Sequence, residues 1–207
     1  QLAAALREWR QMLPHQHQIF LAFPAARTLQ RTLPRPSMTL RDSEQTAWIA
    51  SAISRELEMP PDALRFDYAE DTFSQAYHVT AAQNKEIATL LELAQVLRLR
   101  LAAITPDAGA LAHLLPFVQA PAQCVAWRDR DQWLWAMRHQ WGRRGLAEAP
   151  DVDRLAALLA LRVDEIACCG AGSFDPWCAL SRTQPPLPEN GADFSVALAL
   201  ATGEHSR

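Results

Sequence analysis

Gly170-Ala-Gly172-Ser173 is the stretch of this chain that most reads like a phosphate loop. It follows a strand pattern over 165–169, and two glycines there would let backbone N–H groups approach an anion. The third glycine and the basic residue of such loops are missing, which favours a steric need for glycine at a tight turn. His15 and His17 are the most metal-like pair, yet they supply two ligands where a stable site needs at least three. Asp67, Glu70 and Asp71 read as a solvated turn rather than as paired catalytic carboxylates. Ser43, Ser51 and Ser173 have no His-Asp context, and no Gly-x-Ser-x-Gly elbow exists. Arg138, Arg143 and Arg144 form a modest basic cluster, which reads as a solvated face. Cys124, Cys168, Cys169 and Cys178 show no Cys-x-x-Cys spacing. Cys168 and Cys169 sit in an apolar strand pattern where cysteine acts as a small hydrophobe. That usage points to a reducing, cytoplasmic compartment.

The elements that must position these residues follow from periodicity. Leu2, Leu6, Trp9, Met12 and Leu13 recur at helical spacing until Pro14. Continuous apolar residues over 19–23 suggest a strand buried on both faces, and 28–33 a second strand antiparallel to it. Asp42 and Gln45 give the spacing of a capping box for a helix carrying Ile49, Ala52, Ile53 and Leu57 on one face. Two strands, 64–68 and 77–82, flank a polar turn over 70–75. A helix over 84–98, a strand over 99–105 and a helix over 108–117 capped by Asp107 complete a β-β-α-β-β-α-β-α first part. The second part opens with a hairpin, 123–127 and 132–137, with Trp133 and Trp135 on one face and Leu134 and Ala136 on the other. A helix over 151–161, a strand over 165–169 and a terminal helix over 194–202 follow.

Composition narrows the function classes. The 207 residues are 49% hydrophobic and include seven tryptophans, so the chain folds rather than staying disordered. Twenty basic against 23 acidic residues give a formal charge of −3, which argues against a nucleic-acid binder. Glycine is about 7% of an average protein. Here it is 7 residues in 207, a poor stock for phosphate-wrapping loops. No apolar run reaches the length of a membrane helix, and no signal-peptide pattern is present. The chain opens on Gln1 directly in a helical pattern, as a piece of a longer protein would.

Several segments, in order along the chain, resemble the PilM family of type IV pilus assembly proteins, in its shorter DNA-utilization and competence branch. They are Leu21-Ala-Phe-Pro24, Leu29-Gln-Arg-Thr-Leu-Pro34, the acidic helix over 44–58, and Arg65-Phe-Asp-Tyr68. Val79-Thr-Ala-Ala82, Ile104-Thr-Pro-Asp-Ala-Gly-Ala-Leu111, Gly170-Ala-Gly172, Phe174-Asp-Pro-Trp177 and Gln184-Pro-Pro-Leu-Pro188 continue the series. The resemblance implies an α/β, actin-like (ribonuclease H-like) ATPase fold of two lobes. The first lobe would span 1–120, with an inserted ββα subdomain over about 17–70, and a reduced second lobe would span 121–207. The family's first phosphate loop would lie in an N-terminal hairpin missing from this piece.

The resemblance also implies a partner, the cytoplasmic N-terminal tail of a PilN/HofN-like inner-membrane protein, and recruitment to the cytoplasmic face of that membrane. Phe23, Arg31, Tyr68 and Asp107 are the expected groove residues for that tail. Gly170, Gly172 and Ser173 would be the vestige of a nucleotide site. The family's second phosphate loop, Asp-apolar-Gly-x-x-x-Thr, matches Ala126-Trp-Arg-Asp-Arg-Asp-Gln132, which has neither the glycine nor the threonine. Bulky side chains would fill the space backbone needs, and Asp129 and Asp131 would repel phosphate. The expectation is therefore a non-catalytic adaptor without cofactor or metal, the alternative being an ATP-binding switch in the same assembly.

Overall fold

The computed structural model describes residues 2–71, 74–170, 173–183 and 186–203. Along the chain run α1 (Leu2–Met12), β1 (Ile19–Phe23), β2 (Thr28–Pro34), α2 (Asp42–Leu57), β3 (Leu64–Asp71), β4 (Ala76–Gln83) and α3 (Asn84–Val96). β5 (Leu101–Pro106) leads into a single turn, α4 (Asp107–Ala110), which continues as a 3-10 helix over Leu111–Phe117. Then come β6 (Cys124–Arg128), β7 (Gln132–Met137), β8 (Trp141–Gly145), α5 (Val152–Leu159), β9 (Ile166–Cys169) and α6 (Ser195–Thr202).

These elements form two compact units, Gln1–Ile19 with Arg27–Leu101, and Phe20–Ala26 with Ala102–Arg207. The lobes proposed from sequence divide at 120/121, whereas the compact units divide at 19/20, 26/27 and 101/102.

In the first unit β4 lies between β2 and β3, antiparallel to both. The hairpin expected over 64–82 forms as β3 and β4. The pairing expected between 19–23 and 28–33 does not form, because β1 pairs with β5 and β2 with β4. A 3-10 helix over Ala25–Arg27 turns the chain after Pro24, and β4 supplies the buried central partner. Nor is β1 buried on both faces, for in a two-stranded sheet only Phe23 of the strand is fully covered.

One face of the three-stranded sheet packs on α2. Ile49 and Ile53, a turn apart, meet Leu33, Leu64, Tyr77 and Val79 in a core, with Ala52 and Leu57 packed against it. The helix starts one residue earlier than the capping-box spacing suggested. Arg41 is the N-cap, and its backbone N–H donates to Glu44 Oε2 at 2.9 Å, so Glu44 takes the part assigned to Gln45. Arg10 of α1 donates from Nε to the carbonyls of Leu97 and Arg98, at 3.1 and 3.3 Å, sealing the C-terminal end of α3.

The second unit holds a four-stranded sheet ordered β8-β7-β6-β9, with β9 parallel to β6 and the other pairs antiparallel. Both faces are covered. Cys124, Ala126, Trp133, Trp135 and Ile166 pack with Leu155 and Ala156 of α5. Val125, Leu134, Ala136 and Cys169 pack on the opposite side with Leu111, Leu114, Ala199 and Leu200. Trp133 and Trp135 thus share one face and Leu134 and Ala136 the other, as their alternation requires. β8 has no apolar pattern. Trp-Gly-Arg-Arg-Gly joins the sheet because Gly142, opposite Trp135, leaves room for the indole; a Cβ there would lie 3.0 Å from Trp135 Cζ2.

Candidate functional site

Asp107 stands where β5 ends and α4 begins. Its Oδ1 accepts the Ala25 N–H at 2.8 Å and the Ala108 N–H at 2.6 Å. The carboxylate therefore ties the turn after β1 to the first turn of α4, inside one unit. Burial pushes this carboxyl above the ordinary aspartate value, the two backbone N–H groups pull it back, Asp129 raises it and Arg143 lowers it. Phe23, two residues before Ala25, is buried. The sequence-expected groove residues Phe23 and Asp107 are thus brought together at one junction.

Arg31 and Tyr68 belong to the other unit. Both lie opposite Val79 on β4, Arg31 from β2 and Tyr68 from β3, so the three form one row across the sheet on the side α2 covers. Arg31 pairs with Glu56 of α2. Tyr68 meets Tyr77 edge-on, with ring centroids 5.7 Å apart and planes at 80°. The four expected groove residues therefore form two pairs, one in each unit.

Gly170 has φ +83°, the left-handed region that glycine favours. A Cβ there would lie 2.8 Å from Ala192 Cβ. The chain folds back at this point. Ser173 N–H donates to the Gly170 carbonyl at 3.2 Å, and Phe174 N–H to the Cys168 carbonyl at 3.0 Å. Ser173 Oγ accepts the Cys168 N–H at 3.2 Å. The serine hydroxyl thus closes part of the outer edge of β9. Gly172 lies outside the described residues.

The stretch matching the second phosphate loop runs from the end of β6 through the tight link 129–131 to the first residue of β7. Asp129 N–H donates to the Gln132 carbonyl at 2.9 Å, and the Asp131 carbonyl accepts the Leu146 N–H at 3.0 Å. The Arg128 guanidinium lies 5.9 Å from the Trp133 ring centroid. The turn is closed by its own backbone hydrogen bonds and carries no glycine.

His17 is buried and spent on structure. Its Nδ1 donates to the Pro14 carbonyl at 2.8 Å, and its Nε2 accepts the Arg100 N–H at 3.2 Å. Among the described residues no group of three or more His, Cys, Asp or Glu side chains is placed to hold a metal. Arg143 and Arg144 face opposite sides of β8, opposed to Leu134 and Trp133, so they do not form the single basic cluster the spacing suggested. Sequence reading missed a cleft of about 790 Å³ beside β9, whose lining includes Phe117, Val163, Ile166 and Ser173. It is assembled from segments far apart in the chain, so no local pattern marks it.

No family model matches the chain. It is 56% identical over 204 residues to the DNA utilization protein HofM of Escherichia coli strain K12, an alignment spanning 99% of this chain and 79% of that protein. The chain belongs to the HofM family. In fold it is similar to the cytoplasmic domain of EpsL, an inner-membrane component of the type II secretion system of Vibrio cholerae. That likeness has a TM-score of 0.59 at 14% identity, over 99% of this chain and 81% of the other. It is also similar to a chain of the PilM-PilN type IV pilus biogenesis complex, with a TM-score of 0.53 at 16% identity, over 78% of this chain and 53% of that one. The HofM-family chain is thus a mixed α/β protein of the actin-like fold class. Among its described residues no helix is long and apolar enough to cross a membrane.

Proposed function

We propose that the protein is a PilM-like, non-catalytic cytoplasmic adaptor of a type IV pilus-like apparatus for uptake and use of extracellular DNA. It binds the cytoplasmic N-terminal tail of a PilN/HofN-like inner-membrane protein and sits at the membrane face through that partner. Apolar side chains anchor the tail and a few polar groups set its register. Phe23, Arg31, Tyr68 and Asp107 are the residues we assign to tail binding. Gly170, Gly172 and Ser173 are assigned to a vestigial nucleotide site.

The observation that carries this reading is the link between β6 and β7. An actin-like scaffold that used ATP would keep this turn open to phosphate. Here the turn reads Arg128-Asp-Arg-Asp131, with neither the glycine nor the threonine by which such a loop lets its backbone approach phosphate. Likeness to HofM and to a PilM-PilN complex supports a pilus-type setting and a PilN-like partner.

The test is titration calorimetry of the full-length protein with a synthetic peptide of the partner's N-terminal tail, beside a thermal-shift series with ATP and magnesium. Saturable binding of the tail with no shift from ATP is the expected result. A stabilising ATP shift without tail binding would replace the adaptor with a nucleotide switch.

A further inference from the structure

β9 is the edge strand of the four-stranded sheet. Its outward N–H groups are already spent, Ile166 on the Val163 carbonyl and Cys168 on Ser173 Oγ, so what the edge offers a partner is side-chain surface. Beside Ile166, in its N-terminal half, runs the cleft of about 790 Å³. Phe117 and Val163 line it while remaining 41% and 42% exposed, so apolar surface stays open to water there.

The charged groups of this cleft are unequal. Among the described lining residues Asp151, Asp164 and Asp175 stand with Arg128, which lies near the Trp133 ring, and Asp164 is paired with Arg162. Each carboxylate uses one oxygen locally. Asp151 accepts the Arg154 N–H, Asp175 accepts the Trp177 N–H, and Asp164 pairs with Arg162. With Asp164 balanced by Arg162, Asp151 and Asp175 outweigh Arg128 and leave the surround modestly acidic. β9 has four residues, so the floor is about 13 Å long, the span of a short extended segment.

We propose that this cleft docks an extended peptide whose apolar side chains are flanked by lysine or arginine, at a site separate from the tail-binding residues assigned above. The apolar side chains would cover Phe117 and Val163. The flanking cations would face Asp151, Asp164 and Asp175. Acidic-flanked peptides of the same core would be repelled.

The probes are three fluorescein-labelled octapeptides: a Leu-Val-Ile-Val core between Lys-Lys pairs, the same core between Glu-Glu pairs, and a serine core between Lys-Lys pairs. Anisotropy is read with the full-length protein at two salt concentrations. The lysine-flanked apolar peptide should bind at least about tenfold more tightly than either control, and weaken as salt rises. Asp164→Lys, at a position whose side chain is 48% exposed, should cost that peptide at least about fivefold and improve binding of the glutamate-flanked one. Val163→Ser should weaken the apolar peptide and leave the serine-core peptide unmoved.

Circular dichroism of each variant establishes its fold. Equal binding of the three peptides, or indifference to both substitutions, overturns the proposal. So does a concentration-dependent dimer dispersed by Val163→Ser, which would assign the cleft to a second copy. Capture by anionic vesicles with no peptide binding would assign it to lipid and overturn the proposal equally.

Discussion

Asp107 and Ala25, 82 residues apart in sequence, are joined by a 2.8 Å hydrogen bond from the Ala25 N–H to Asp107 Oδ1. The same oxygen holds the Ala108 N–H, so a single atom fixes both the exit of β1 and the start of α4. Asp107→Ala leaves these two donors without their acceptor, and a loss of about 1–3 kcal/mol is expected by urea unfolding. Asp107→Asn keeps an acceptor and should lose less.

The same residue carries a pH dependence. Burial raises the folded-state value of the carboxyl above 3.8. Its contribution is then fully present below the unfolded value and is lost as pH rises through the folded one. The stability of the wild type relative to Asp107→Asn should therefore fall as pH rises from below 3.8, and level off above the raised value. A flat difference across that window would contradict the assignment.

Trp133 and Trp135 share a core, but their indole nitrogens differ. Trp133 Nε1 donates to the Ala149 carbonyl at 2.9 Å, whereas Trp135 Nε1 is buried with no partner. Trp133→Phe orphans a buried carbonyl, and Trp135→Phe removes an orphaned donor. The first should be the more destabilising by about 1–3 kcal/mol, read from paired urea curves.

Gly170→Ala combines a left-handed backbone with a Cβ 2.8 Å from that of Ala192. A cost of about 2–4 kcal/mol is expected, lowering Tm by roughly 5–15 °C. Calorimetry with and without ATP separates this packing role from nucleotide binding, for the loss should be the same in both.

Arg31→Ala removes an ion pair whose partners are both well exposed, so stability should change by less than about 1 kcal/mol. Tail affinity should fall by at least about fivefold, or 1 kcal/mol. Unchanged affinity would take Arg31 out of the tail site.

Thiol reactivity should follow burial. Burial pushes Cys124 up to about 12 and Cys169 up to about 11, while Cys178 is exposed. A disulfide reagent should label Cys178 first, and reach Cys124 and Cys169 only on unfolding.

Periodicity was sufficient wherever one strand or helix face meets one layer. Ile49 and Ile53 mark the buried stripe of α2, and the alternation from Trp133 to Ala136 assigns each side chain to its face. Long-range pairing was not legible. Nothing in Ile19–Phe23 states that its partner is Leu101–Pro106 rather than the next strand, because pairing runs through backbone groups that every strand carries alike. β8 escaped because its fit rests on the absence of a side chain at Gly142, which hydropathy does not register. The cap at Arg41 escaped because Glu44 and Gln45 both suit the reciprocal position. At the candidate site the residue types were legible, but their grouping was not. Phe23 with Asp107 and Arg31 with Tyr68 are joined by partners, Ala25 and Val79, that carry no functional chemistry.

The β1–β5 pairing has a consequence for biosynthesis. Residues 27–101 form the bulk of one compact unit, and all but Leu101 emerge between the two strands, β1 and β5. At ~5–20 residues per second, β1 waits about 4–16 s on the ribosome before β5 exists. During that delay Phe20, Leu21 and Phe23 are apolar and unpaired, while the intervening segment has everything needed for its own sheet. Codon choice between positions 24 and 100 therefore sets how long a sticky strand stays available to chaperones, a property of the messenger that the finished molecule conceals.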